Sequence, residues 1–393
     1  MQAFEYFVPT EIVFGAGSTE KLPELLKKRG LSRVLVVYGG ASAKKSGLLD
    51  RVFRLLDKAD VRYRSLGGVQ PNPRVALARE GVQLALESGA ELILAVGGSV
   101  IDTCKAIAHG AANPGTDIWE FWKRRAPLTK SMPVGVVLTI PAAGSETSDS
   151  AVLTNAEAGE KRGLNTPFNR PAFAILDPLL AATLPVHQVA CGVSDILMHT
   201  LDRYFNPVTD NALTDELAEA LLRVVLEYGP AAVRDAHDEK AMSEIMWAGS
   251  LSHNGLTGLG GKKDFATHQL GHALSEKFDV YHGDSLTAVW SSWARSVMDE
   301  SPARFARFAR NVWHVEEADD TAAALAGIAK QESFFRFIGM PVCLGELSCG
   351  KQDEAGLADL ASRCSYGKTR TIGTFRVLDY EKILAIYRRA NEA

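Results

Sequence analysis

Asp195 and His199 stand four residues apart in QVACGVSDILMHTLDRYF (Gln188–Phe205), and His268, His272 and His282 crowd into ATHQLGHALSEKFDVYHG (Ala266–Gly283). The chain has only nine histidines, so three within fifteen residues is a concentration. Positions i and i+4 share a helix face, which sets Asp195 beside His199 and His268 beside His272. Carboxylate oxygen with imidazole nitrogen is a donor set for zinc or ferrous iron, whereas magnesium and calcium favour oxygen alone. A catalytic centre uses about four protein groups or fewer and leaves a position for substrate. Five donors are on offer. With Asp195 and His199 counted, about two of the three later histidines are needed. Local spacing favours His268 with His272, yet any two of the three satisfy the requirement. Asp284 suits the N-cap of a helix starting SLTAVW, which would leave His282 in the loop before it.

Other catalytic engines are missing from the sequence. Ser145 follows a glycine in AAGSE, but this is not the G-x-S-x-G elbow of a nucleophilic serine. Neither an H-E-x-x-H helix nor an EF-hand loop occurs. A lone Asp–His pair is an ordinary helix-face feature, so the weight rests on the cluster.

Three strand ends open into turns of small residues with a helix expected after each: Tyr38-Gly39-Gly40-Ala41-Ser42, Val96-Gly97-Gly98-Ser99, and Thr139 through Gly144 to Ser145. Glycine lets a phosphate approach the backbone, and the following helix N-terminus offers free N–H groups at a positive dipole end. No turn is a G-x-G-x-x-G or a P-loop. The first turn bears on cofactor choice. Selection of NAD usually sets a carboxylate on the adenosine ribose. Here no Asp or Glu follows Tyr38, and Lys44 and Lys45 come next, which favours NADP.

The elements that must position these groups are readable from periodicity. Arg33–Tyr38, Val61–Leu66, Leu92–Val96, Val134–Ile140 and Ala172–Leu176 are short, apolar and rich in β-branched residues, as strands are. Lys45–Ala59 and Arg74–Ser88 carry helical periodicity between them. This alternation predicts a doubly wound, mostly parallel α/β layer over residues 1–183. Residues 184–393 read as all-helical, with helices over Gln188–Phe205, Thr214–Tyr228, Glu239–Asn254, Lys262–Phe278, Ser285–Met298 and Ala323–Ile338. Two such halves are expected to enclose a cleft, the usual place for a ligand. Trp119, Phe121, Trp122, Trp247 and Phe265 are candidates for an apolar lining.

Composition narrows the class. The 393 residues are 46% hydrophobic and 23% charged, with a net charge of −4 and no basic stripe. Nucleic acid is therefore an unexpected partner. No apolar run approaches the roughly twenty residues of a membrane helix, and Met1–Thr10 lacks the basic start of a signal peptide. Five cysteines without a C-x-x-C pair fit reduced thiols in a cytoplasm.

Taken together, PTEIVFGAGS, GGVQPNP (Gly67–Pro73), LAVGGSVIDTCK (Leu94–Lys105), LTIPAAGSETS (Leu138–Ser148), AILDP (Ala174–Pro178), D-x3-H and H-x3-H-x9-H-G resemble the iron-containing (group III) alcohol dehydrogenase family. The resemblance covers nearly the whole chain. YGGASAKKSG and EYGPAAV are most similar to its bacterial NADPH-dependent aldehyde reductases and butanol dehydrogenases. It implies a dehydroquinate synthase-like fold: an N-terminal dinucleotide-binding domain followed by a helical metal-binding domain. It implies hydride transfer between NADP(H) and an aldehyde or primary alcohol, with one Fe2+ or Zn2+. By this resemblance the metal ligands are Asp195, His199, His268 and His282, and His272 sits beside nicotinamide and substrate. It assigns cofactor contacts to Gly39, Gly40, Ser42, Asn72, Gly97, Gly98, Ser99, Asp102, Thr139, Ser145 and Lys161. One departure is visible: where the family pattern has three glycines before the serine, this chain has two, Gly97 and Gly98, which implies a shorter diphosphate turn. Relatives that form dimers through an N-terminal strand suggest the same for Phe4–Val8. A glycerol-dehydrogenase-like enzyme using NAD and a polyol is the competing reading within the fold, and a dehydroquinate-synthase-like lyase is another.

Overall fold

The computed structural model describes residues 1–40, 42–208 and 210–392. Contacts divide the chain into two compact units. One is Phe7–Leu184 with Ala236–Met246, and the other is Met1–Tyr6, Pro185–Asp235 and Trp247–Ala393.

The first unit is an α/β layer. Its strands are β1 (Glu11–Phe14), β2 (Arg33–Tyr38), β3 (Arg62–Leu66), β4 (Leu92–Val96), β5 (Val134–Leu138), β6 (Ser150–Asn155), β7 (Glu160–Asn165) and β8 (Phe173–Leu176). Its helices are α1 (Leu22–Lys28), α2 (Ser42–Lys45), α3 (Leu48–Lys58), α4 (Val75–Ser88), α5 (Ile101–Ala112) and α6 (Ile118–Trp122). Six strands form one parallel sheet in the order β1-β8-β5-β4-β2-β3. Every residue of β4, β5 and β8 is buried. That is why these strands read as continuous apolar runs, since helices cover both faces of a parallel sheet. Leu22, Leu26, Val52 and Leu56 from α1 and α3 pack on Val34, Val36, Leu92 and Leu94 to form one core layer.

From β2 the chain steps outward to β3, then returns to the opposite side of β2 to lay down β4 and β5. The winding therefore reverses between β2 and β4. In open α/β sheets the crevice outside the carboxyl ends at such a switch point is the ligand position.

The second unit is helical: α7 (Val186–Tyr204), α8 (Ala212–Arg234), α9 (Glu239–His253, its C-terminal part), α10 (Ala266–Phe278), α11 (His282–Val297), α12 (Pro302–Trp313), α13 (Asp320–Phe337), α14 (Glu354–Cys364) and α15 (Tyr380–Glu392). Among its described residues there is no strand, only an isolated bridge between Ile372 and Leu378. No described helix is long and apolar enough to cross a membrane.

Within the single chain Phe4–Val8 pairs with no strand. The first strand is β1, paired with β8, while Gln2 N–H donates to Gly260 O at 3.1 Å. Other expectations need correcting. The turn beginning at Thr139 leads to no helix: Gly144 takes φ +61° and the chain runs on into the β6–β7 hairpin. Asp284 is not an N-cap. Helix α11 starts two residues earlier, at His282, with Tyr281 as its cap and Asp284 in its first turn, where an acidic side chain complements the helix dipole. Trp119, Phe121 and Trp122 are core residues of the α/β unit, buried to at least 96%, and Trp122 Nε1 donates to Ala151 O at 3.2 Å.

Candidate active site

At the switch point Tyr38 pairs with Val96, and Gly97 N–H donates to Val137 O at 3.0 Å. Gly39, Gly97 and Thr139 thus leave neighbouring strands β2, β4 and β5 at the same sheet edge. Gly97 holds φ +129°, a backbone state that side chains resist, so the turn needs glycine there. Gly98 and the exposed Ser99 continue it, and α5 begins at Ile101 with Asp102 in its first turn. Val96, the buried last residue of β4, precedes Gly97 directly, so two glycines stand between the strand and Ser99. Gly40 is exposed beyond β2. Ala41 and the Ser42 side chain lie outside the described structure. Lys44 sits with its Nζ 5.3 Å from the Tyr38 ring centroid, and Lys45 is exposed.

Two expected contacts meet directly below this edge. Ser145 Oγ donates to Asp102 Oδ1 at 2.6 Å, and Val152 N–H donates to Asp102 Oδ2 at 2.9 Å. Lys105, fully buried one turn after Asp102, donates to Ser145 Oγ at 2.8 Å and Ser150 O at 2.7 Å. Burial pushes this ammonium down to about 8, against the pull of Asp102, Glu146 and Asp149. Two further expected contacts also pair. Lys161 Nζ on β7 donates to Asn72 Oδ1 at 2.8 Å, and the hairpin is anchored there because Thr154 N–H donates to Pro73 O at 2.8 Å.

In the helical unit, α7 is buried on all sides from Val193 to Tyr204. Polar residues inside such a helix need partners. Asp195 and His199 share one face, with His199 Nε2 3.3 Å from Asp195 Oδ1. Helix α10 brings His268 Nε2 to 3.6 Å from the same oxygen, and the first residue of α11 brings His282 Nε2 to 3.7 Å. Gly283 makes the last approach possible: a Cβ there would lie 2.7 Å from Cys191 Cα on α7. The small residues around Cys191 are thus where α11 packs.

Asp195, His268 and His282 present donor atoms all within 4.8 Å of one another. His199 flanks them, its ring centroid 4.2 Å from that of His268. Donors held about 2.0–2.1 Å from a tetrahedral cation stand roughly 3.3 Å apart, close to the observed separations. Asp195 Oδ1 and His268 Nε2 are buried without a hydrogen-bond partner among the described residues. Two such atoms facing each other are costly unless a proton or a metal cation lies between them. Against the cost of burial, the Asp195 and Asp202 carboxylates raise the His268 imidazole to about 9, so a metal would take the place of that proton. The donor set therefore fits a divalent metal. Burial, together with His253, His268 and Arg203, holds the His199 imidazole well below its usual range, so it is the neutral, ligand-competent form. His272, one turn after His268 and partly exposed, has its ring centroid 5.4 Å from that of His282.

Two neighbours of this cluster, Asp202 and Arg203, escaped the sequence reading, whereas Phe265 was expected only as an apolar lining residue. Asp202, fully buried, accepts from His268 Nδ1 at 2.5 Å. Arg203 bonds His199 O at 2.6 Å and His253 Nδ1 at 2.9 Å. Phe265, at φ +55°, lies 5.1 Å from His268 between ring centroids. The spacing Asp195-x3-His199-x2-Asp202 keeps all three on one helix face and was the available signal for the first.

Comparison with known proteins bears on both units. The model for iron-containing alcohol dehydrogenase matches residues 9–178, and that for the C-terminal part of the Fe-containing alcohol dehydrogenase family matches residues 188–391. The chain belongs to the iron-containing alcohol dehydrogenase family. It is 36% identical to NADH-dependent butanol dehydrogenase A of Clostridium acetobutylicum, over 99% of this chain and 100% of that one. It is also 36% identical to the NADPH-dependent aldehyde reductase YqhD of Escherichia coli, over 88% and 89%. The crystal structure of NADH-dependent butanol dehydrogenase A from Thermotoga maritima superposes with a TM-score of 0.94 at 31% identity, covering 99% of each chain. As an iron-containing alcohol dehydrogenase, the protein is an oxidoreductase of the alcohol–aldehyde couple, working with a nicotinamide cofactor and a divalent metal.

Proposed function

We propose that this protein reduces aldehydes to primary alcohols with NADPH, and that Asp195, His199, His268 and His282 hold its divalent metal. The convergence of three imidazole nitrogens on Asp195 Oδ1 carries the reading. A divalent cation, when bound, supplies Lewis acidity to the carbonyl oxygen on which negative charge develops. Asp202 fixes His268 with Nδ1 protonated, which leaves Nε2 as a lone-pair donor. His272, whose ring lies 5.4 Å from that of His282, is the candidate to hold or pass the proton that completes the alcohol, beside a ribose hydroxyl or water. Asp102, held by Ser145 and Val152 N–H, faces the nicotinamide ribose in this reading, while Gly97, Gly98 and Ser99 receive the diphosphate. Asn72, Lys161 and Thr139 complete the cofactor contacts. Gly39 and Gly40 at the adenosine end carry no carboxylate, and Lys44 and Lys45 follow them, which supports NADPH. NADH is the competing cofactor, because relatives with "NADH-dependent" in their names are equally similar.

The deciding experiment couples metal analysis with an aldehyde and polyol panel run with each cofactor. Stoichiometric metal with NADPH-driven aldehyde reduction supports the proposal. A preference for polyol and NAD would replace it with the glycerol-dehydrogenase-like reading.

A further inference from the structure

A second group of metal-donor types lies in the helical unit and takes no part in the reaction described above. His187 and Cys191 are i and i+4 on the first turns of α7, and Asp284 projects from the first turn of α11. His187 Nε2 is 3.1 Å from Asp284 Oδ2, Cys191 Sγ is 3.6 Å from His187 Nε2, and Cys191 Sγ is 3.7 Å from Asp284 Oδ1. One donor atom from each falls within 4.8 Å of the other two.

The geometry points to a second divalent-metal site, suited to Zn2+, formed by His187, Cys191 and Asp284. A tetrahedral zinc with bonds of about 2.3 Å to sulfur and 2.0–2.1 Å to nitrogen or oxygen sets S and N roughly 3.5 Å apart, and N and O roughly 3.3 Å apart. His187 Nε2 and Cys191 Sγ already stand near that separation, and the Asp284 carboxylate faces both, Oδ2 towards the imidazole and Oδ1 towards the thiol. One thiolate, one imidazole and one carboxylate form a zinc-type donor set with borderline softness. All three residues are partly exposed, so an ion can reach them. His187 and Asp284 also line a surface cavity with Tyr281, Glu346 and Ser348, so a fourth position would open onto it. His187 is held edge-on against the Tyr281 ring, 5.3 Å between centroids, which limits its rotation.

A Cys–His nucleophile is the alternative use of these residues, and the surroundings oppose it. Burial and the Asp284 carboxylate push the Cys191 thiol far up, so it is not a resting thiolate. A cation reverses that balance, since a coordinating thiol gives up its proton on binding. The site also differs from the Asp195 centre in one respect that can be read directly: it contains sulfur.

Titration of the metal-stripped protein with Co2+ tests this. A sulfur-to-cobalt charge-transfer band in the near ultraviolet is expected, with saturation at two metal ions per chain. Cys191→Ser should abolish the band and leave one metal ion bound. His187→Gln, at a partly exposed position, should weaken the cobalt affinity of the band by at least about tenfold. Asp195→Asn should leave the band in place. A single metal ion per chain without the band, or a band that survives Cys191→Ser, overturns the proposal.

Discussion

The carboxylate of Asp202 accepts a hydrogen bond from His268 Nδ1 at 2.5 Å, with both side chains inside the protein. This pairing sets which face of the imidazole is turned towards Asp195 and which nitrogen keeps its lone pair. Asp202→Asn retains the shape and removes the charge. Metal affinity should fall by roughly ten- to a hundredfold, measured by competition with a chelator, while circular dichroism stays unchanged. Unaltered affinity would mean that His268 is oriented by its packing alone.

The two α10 histidines separate under substitution. His268→Ala should lose the metal and the activity together. His272→Ala should retain stoichiometric metal and alter kcat and its pH profile, with a loss of roughly 10²–10⁴ if the imidazole transfers a proton in the rate-limiting step. Metal loss in His272→Ala would show that the assignments of the two histidines are exchanged.

At the adenosine end, an added Cβ at Gly39 meets Val69 O at 3.5 Å, an ordinary contact, so Gly39→Asp should fold. Its carboxylate would face the 2′-phosphate of NADPH. The NADPH to NADH ratio in kcat/KM should drop by about tenfold or more, equivalent to about 1.4 kcal/mol of like-charge repulsion. An unchanged ratio removes Gly39 from the ribose subsite.

Lys105 gives the α/β unit a pH signature. Its pKa in the folded protein is lowered to about 8 by burial, from an ordinary 10.5. Between these values the unfolded chain binds more protons than the folded one, so stability from this group rises with pH. The cost is fully present below about pH 8 and is relieved towards pH 10.5. Urea unfolding of wild type and Lys105→Met, compared at both ends of that window, should show the difference between them shift by roughly 3 kcal/mol in favour of the lysine. A constant difference would mean that the ammonium is solvated.

The parts of the fold visible in sequence were those with a strong period or a full apolar run. β2 and β4 begin and end where the pattern places them, because strands buried on both faces leave no polar alternation to blur. The β6–β7 hairpin was invisible: Glu160-Lys161-Arg162-Gly163-Leu164-Asn165 lacks β-branched residues and is held by tertiary contacts such as Thr154 to Pro73. The start of α11 was misjudged because Asp284 looks like a cap, whereas its carboxylate is engaged by His187. In the metal cluster, residue types and helical spacing marked Asp195, His199 and His268. The choice of His282 over His272 came from family resemblance, since their difference arises only when α11 meets α7 at Gly283 and Cys191. Asp202 and Lys105 stayed hidden because a single sequence does not distinguish a buried charge from a solvated one.

The candidate centre joins α7 to the consecutive pair α10 and α11, more than sixty residues further along the chain, all within the helical unit. A cation bound there would act as a reversible cross-link, and mass action would reward the folded state by about 4 kcal/mol when free metal exceeds its dissociation constant a thousandfold. The two units would then respond unequally to a chelator. Thermal melting of partially loaded protein would show two populations of one polypeptide, distinguished only by whether the helical unit carries its pin.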